Sequence, residues 1–206
     1  MRKLLASLAI TMGAVGVAHA EEIEGDAAAG QELAATCAAC HGQEGISPSA
    51  SFPHLAGQQA SYLAKQIKDI RDGHRVVPQM AGQVDDYSDQ DAWDVAAFYA
   101  EQEANIGQSD DDEELLARGE ELYRSGDMAK GIPSCAACHT PSGEGIGSAV
   151  YPGLAGQFPD YTVSTLQDFA AGERANDPND MMRDIAAKMS DADMEAVANY
   201  LYGLHD

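Results

Sequence analysis

Two pentads hold every cysteine of the chain: Cys37-Ala38-Ala39-Cys40-His41 and, letter for letter, Cys135-Ala136-Ala137-Cys138-His139. Two thiols three residues apart on a short helical turn can form thioether bonds to the two vinyl groups of one porphyrin, and the next histidine then faces the iron. Cys-x-x-Cys-His is the attachment run of c-type haem. The two runs predict two covalently bound haem c groups, with Cys37, Cys40, Cys135 and Cys138 as attachment points and His41 and His139 as iron ligands. Two disulfides are the ordinary reading of four cysteines in an exported chain, but they would not call for a histidine after each pair. Paired zinc knuckles lie roughly 15 to 20 residues apart, whereas these pairs lie 98 apart, each with its own histidine.

An iron that moves electrons without binding small molecules needs a second axial ligand. Met80 is the only methionine in the loop Val76-Val77-Pro78-Gln79-Met80, whose approach Pro78 stiffens. The second half offers Met181, Met182 and Met189. Met80 lies eight residues before Ser88 and Met182 eight before Ser190, which selects Met182, with Met181 as fallback and Met189 matching Tyr87. Pro178 stands four residues before Met182 where Pro78 stands two before Met80, so the loops must differ in path. A thioether is a soft, neutral ligand that favours Fe(II), so His/Met haems sit at raised potential. With both axial positions filled, an electron carrier and not an enzyme is expected. No Ser/His/Asp set, phosphate loop or substrate site stands out. His54, His74 and His205 have no repeated partner and are read as surface or structural residues.

The elements that position these residues come in two copies. Ala29-Gly30-Gln31-Glu32-Leu33 matches Arg118-Gly119-Glu120-Glu121-Leu122 at an offset of 89, and the pentads match at 98, so the second copy carries nine extra residues within Tyr123 to Ser134. Phe52-Pro53-His54-Leu55-Ala56-Gly57-Gln58 matches Tyr151-Pro152-Gly153-Leu154-Ala155-Gly156-Gln157 at 99, and Ser88-Asp89-Gln90-Asp91 matches Ser190-Asp191-Ala192-Asp193 at 102. Each copy reads as helical. An entry helix begins near Asp26 and its counterpart near Asp111 or Asp112. A middle helix carries Leu63, Ile67 and Ile70 and ends at Gly73; its counterpart carries Leu166 and Phe169 and ends at Gly172. A last helix starts at each Ser-x-x-Asp capping box, with apolar faces Ala92, Val95, Ala96, Tyr99 and Met194, Val197, Ala198, Leu201. No alternating strand pattern competes. The expected division is a signal peptide over 1–20, domains over 21–105 and 112–206, and an acidic linker over 106–111. Domains this small bury a marginal core, and aromatic content is 6%, so folding should depend on the haem.

Arg2 and Lys3, an apolar run from Leu4 to Val17 and Ala18-His19-Ala20 before Glu21-Glu22 form a cleaved secretory signal pattern. The run is too short to span a bilayer, and export to the periplasm is expected. Losing the segment's two basic residues takes the formal net charge from -22 to -24. Such a chain repels nucleic acid and anionic membrane surfaces. The acids keep it soluble, or they suit a basic docking partner.

Both pentads, both Leu-Ala-Gly-Gln segments, Gly131-Ile132-Pro133-Ser134-Cys135 and Met181-Met182-Arg183-Asp184-Ile185-Ala186 together resemble the dihaem cytochrome c4 family over essentially the whole chain after residue 20. The resemblance implies an all-α fold of two tandem class I cytochrome c domains, related by pseudo-twofold symmetry, each wrapped around a covalent haem, with the haem edges facing. It also implies that the carbonyls of Pro53 and Pro152 accept the Nδ1 protons of His41 and His139. Arg75 and Arg174 recur in the two copies and are candidates to face propionates. The partners it implies are a quinol-oxidising complex as donor and a haem-copper terminal oxidase as acceptor, with loose peripheral membrane association and a monomeric chain. A haem subunit serving a flavoprotein dehydrogenase and a dihaem peroxidase with an open iron remain alternatives.

Overall fold

The computed structural model describes residues 24–205; the expected signal peptide lies outside them. Each half follows one plan. In the first, α1 (Ala27–Leu33) leads into α2 (Ala38–His41), followed by α3 (Ala60–Arg71) and α4 (Asp89–Ala100). In the second, α5 (Glu113–Ser125), α6 (Ala136–His139) and α7 (Pro159–Ala171) are followed by an added helix, α8 (Met181–Ala186), and by α9 (Asp191–Tyr202). Among the described residues there is no strand, only the isolated bridges Asp127 to Ile132 and Ile146 to Tyr151.

The helices start where their caps require. Asp26 accepts the N–H groups of Ala28 and Ala29, Asp112 those of Glu114 and Leu115, and Ser88–Asp91 and Ser190–Asp193 form reciprocal capping boxes. Entry and last helices cross at glycine in both copies. A Cβ on Gly30 would lie 1.9 Å from the Asp94 carbonyl oxygen, and one on Gly119 2.2 Å from that of Ala196. Only glycine lets backbones approach so closely, which explains why the repeat keeps this residue.

Two apolar cores result. The first gathers Ala34, Leu63, Val95, Ala96, Phe98 and Tyr99, with Cys37 and Leu55 packed against it. In the second, Leu122, Tyr123, Ile132, Leu166, Phe169 and Met194 are joined by Cys135, Leu154 and Met182. The extra residues of the second copy turn back at the Asp127–Ile132 bridge and deliver Ile132, 1% exposed, to that core. Asp193, beyond capping α9, accepts from Arg118 at 2.8 Å and from Lys130.

The halves meet through reciprocal contacts. Gln58 Nε2 donates to the Gly153 carbonyl at 2.9 Å, and Gln157 Nε2 donates to the His54 carbonyl at 3.0 Å. Arg75 donates to Tyr161 Oη at 3.2 Å, and Arg174 to Tyr62 Oη at 2.8 Å. Each pair of bonds exchanges residues 99 apart, which is the pattern of a pseudo-twofold axis. The connecting stretch lies along both halves: Asn105 Nδ2 donates to the Gly156 carbonyl at 2.8 Å, and the Asp110 N–H to Asn199 Oδ1 at 2.7 Å.

Candidate haem-binding sites

The two pentads fold alike because each cysteine-led turn is a single helical turn. The N–H of His41 donates to the Cys37 carbonyl at 2.9 Å, and that of His139 to the Cys135 carbonyl at 2.9 Å. This puts both thiols and the imidazole of each pentad within one turn. His41 and His139 are 7% and 8% exposed. Their Nδ1 atoms lie 2.9 Å from the carbonyl oxygens of Pro53 and Pro152. A carbonyl only accepts, so Nδ1 carries the proton and Nε2 presents its lone pair. Burial pushes both imidazoles below their ordinary pKa, against the raising effect of the proline carbonyls. Neutral histidines in this tautomer suit an iron, so the donor set fits c-type haem.

The methionine segments differ as the spacing of their prolines implied. Met80 closes a single 3₁₀ turn, Pro78–Met80, and is half-buried. Between Arg174 and Met182 the second copy has three more residues than lie between Arg75 and Met80. These residues enter a turn with Asn179 and Asp180 at φ 56° and 59°, a conformation their short polar side chains tolerate. The chain then starts α8, where the Asp177 carboxylate accepts the N–H groups of Met182 and Arg183 at 3.0 and 3.1 Å and also the Arg183 guanidinium at 2.7 Å. Met182 packs on the core that holds Cys135, whereas Met181 lines a surface hollow with Met128, Pro133 and Lys188. The first two positions of α8 therefore point different ways, and the inward one is Met182.

Arg75 and Arg174, weighed only as partners for propionates, stand at the contact between the halves. Both donate to Gln66 Oε1 at 3.0 Å, and Asn176 Nδ2 adds a third bond there at 2.9 Å. Arg174 is 7% exposed, and among the described residues neither arginine has a carboxylate in ion-pair contact. Burial alone would raise the Tyr161 phenol, but the two guanidiniums outweigh it and bring its pKa down to about 8. A buried cationic pair of this kind fits the propionates of a haem.

Sequence reasoning left three interface groups without a role. His54 is buried, the structural of the two readings given for it: its Nδ1 accepts the Ser47 N–H at 2.9 Å and its ring stacks on Phe158 at 4.1 Å. Tyr62 and Tyr161, and Gln58 and Gln157, are further pairs 99 apart. That shared offset on polar residues outside the apolar pattern was the available signal. His74 and His205 are exposed, as expected of surface residues.

Comparison with known proteins extends this geometry. The family described as "Cytochrome c" matches residues 116–205, and that described as "Cytochrome C oxidase, cbb3-type, subunit III" matches residues 25–98. Cytochrome c4 of Pseudomonas aeruginosa is 49% identical over 206 residues, covering 100% of both chains. A thiosulfate dehydrogenase electron acceptor of Stutzerimonas stutzeri is 41% identical over 172 residues, 81% of this chain and 78% of its own. The crystal structure of reduced recombinant cytochrome c4 from Pseudomonas stutzeri superposes with a TM-score of 0.85 at 44% identity, covering 88% of this chain and 100% of that one.

Proposed function

The chain belongs to the dihaem cytochrome c4 family, and from that premise we propose a periplasmic electron carrier in which each iron takes one histidine and one methionine. As a member of that family it carries two covalent haem c groups and transfers electrons without catalysing a reaction of its own. Each haem supplies a one-electron Fe(III)/Fe(II) couple when bound. Cys37 and Cys40 tether the first, and Cys135 and Cys138 the second. His41 with Met80, and His139 with Met182, hold the irons. The observation that carries this reading is the pair of buried histidines whose Nδ1 protons are committed to Pro53 and Pro152, leaving Nε2 free to ligate.

The electrons pass from a quinol-oxidising complex to a haem-copper terminal oxidase. Among the described residues no helix is long and apolar enough to cross a membrane. The formal charge of -22 suits a basic docking face on one of them. Turnover of the holo-protein with each complex, measured over a salt series, tests this. Steep loss of oxidase turnover with added salt is expected, and a flat profile removes the electrostatic docking.

A second reading of the donor has its own support in the thiosulfate dehydrogenase acceptor among the relatives. In that reading a dehydrogenase, not a quinol-oxidising complex, reduces the chain. Stopped-flow reduction by each donor separates them: whichever reduces the holo-protein at least tenfold faster is the physiological class.

A further inference from the structure

The Leu-Ala-Gly-Gln segment is repeated in both halves, and its glutamine does more than join them. The two glutamines converge on the peptide groups that hold the haem histidines. The oxygen that accepts the His41 Nδ1 proton belongs to the Pro53–His54 peptide, and the N–H of that same peptide donates to Gln157 Oε1, from the other half, at 3.0 Å. Gln157 Nε2 also donates to the His54 carbonyl at 3.0 Å, so one carboxamide holds both backbone groups of the residue after the proline. The mirror arrangement is complete. Pro152 accepts from His139 at 2.9 Å, the Gly153 N–H donates to Gln58 Oε1 at 2.7 Å, and Gln58 Nε2 donates to the Gly153 carbonyl at 2.9 Å. Each glutamine is itself pinned, because its Oε1 also accepts the N–H of the next residue, Gln59 at 2.9 Å or Phe158 at 3.1 Å.

We propose that Gln157 and Gln58 are positioning residues for the haem histidine of the opposite half, each fixing and polarising the peptide group that accepts that histidine's Nδ1 proton. The physical ground is the conjugation of the peptide unit. When its N–H donates, electron density moves to its oxygen and the bond from Nδ1–H strengthens, as in any hydrogen-bonded chain. A histidine held by a stronger acceptor is the more basic ligand, which favours the ferric state and lowers the potential. Each haem's potential thus depends on a side chain from the other half. The inference rests on His41 and His139 being the iron ligands.

The test uses the full-length holo-protein and reads two properties of each haem: its reduction potential and the solvent-exchange rate of its histidine Nδ1 proton by NMR. The couples are assigned to their halves by replacing Met80 or Met182. Gln157→Leu should raise the potential of the first haem and speed exchange of the His41 proton at least tenfold, leaving the second haem as it was. Gln58→Leu should do the converse. Gln157→Met and Gln58→Met, of similar length but without the hydrogen bonds, stand in where leucine prevents folding. Ser61→Ala removes a different bond between the halves, to the Gly147 carbonyl at 2.6 Å, and should leave both haems unaltered. Shifts on the glutamine's own half, equal shifts on both, or none would overturn the proposal. His41→Ala separates the two levels: if a normal low-spin first haem survives it, the ligand assignment fails. If that haem is lost yet the crossed pattern is absent, only the role of the glutamines fails.

Discussion

Arg174 reaches across the boundary between the halves to Tyr62, its guanidinium donating to the phenol oxygen at 2.8 Å, while the same arginine lies 4.5 Å above the Phe169 ring of its own half. It thereby ties the second core to the first. Arg174→Ala removes bonds to Tyr62, Gln66 and Asn176, leaving acceptors in a buried contact, and should cost about 1–3 kcal/mol. Denaturant unfolding of the holo-protein, followed separately at each haem, should change from one transition to two.

The register of the second methionine is open to direct test. Met80→Ala and Met182→Ala should each abolish the methionine-to-iron charge-transfer band of one ferric haem and lower that haem's potential, because a neutral soft ligand is lost. Met181→Ala should leave both bands, since Met181 lines the surface hollow. Optical spectra and redox titration of the three variants check this.

Asp193 gives the second half a dependence on acid. Its side chain is 5% exposed. Burial works against the charged carboxylate, but Lys130, the Ser190 N–H and hydroxyl and Arg118 outweigh it and hold the group below the usual carboxylate range. The stabilisation is therefore fully present above the unfolded value of about 3.9 and is lost as pH falls through the depressed folded value. Asp193→Asn should remove this acid dependence. It should also cost about 2 kcal/mol at neutral pH, less than a fully buried pair because Arg118 and Lys130 are partly exposed. Thermal unfolding from pH 7 down to pH 3 measures both.

The glycine crossings should be intolerant in both halves. Gly30→Ala and Gly119→Ala each drive a Cβ into a facing carbonyl oxygen, at 1.9 and 2.2 Å, so the helices must separate. A loss of about 1–3 kcal/mol is expected for each, read as a lowered Tm in calorimetry of the holo-protein.

Much of the fold was legible because its signals are local. Asp26, Ser88, Asp112 and Ser190 cap helices through their own neighbours, and Leu63, Val95, Tyr99, Leu166 and Val197 mark faces that depend only on helical spacing. The short helix carrying Met182 was less legible, because Asn179 and Asp180 adopt left-handed backbone within what read as a loop.

By itself the sequence determined the pattern around each pentad: which cysteines are placed to tether, which histidines follow, and that the unit occurs twice. Those facts depend on bonds and turns spanning a few residues. The tertiary structure alone decided what each half lends the other, namely that Gln157 meets the peptide behind His41 and Gln58 the peptide behind His139. The reason is geometric, since residues about 100 apart in the chain meet only through the pseudo-twofold packing of two folded halves. A one-dimensional pattern records that both glutamines recur, but not which backbone each one grips.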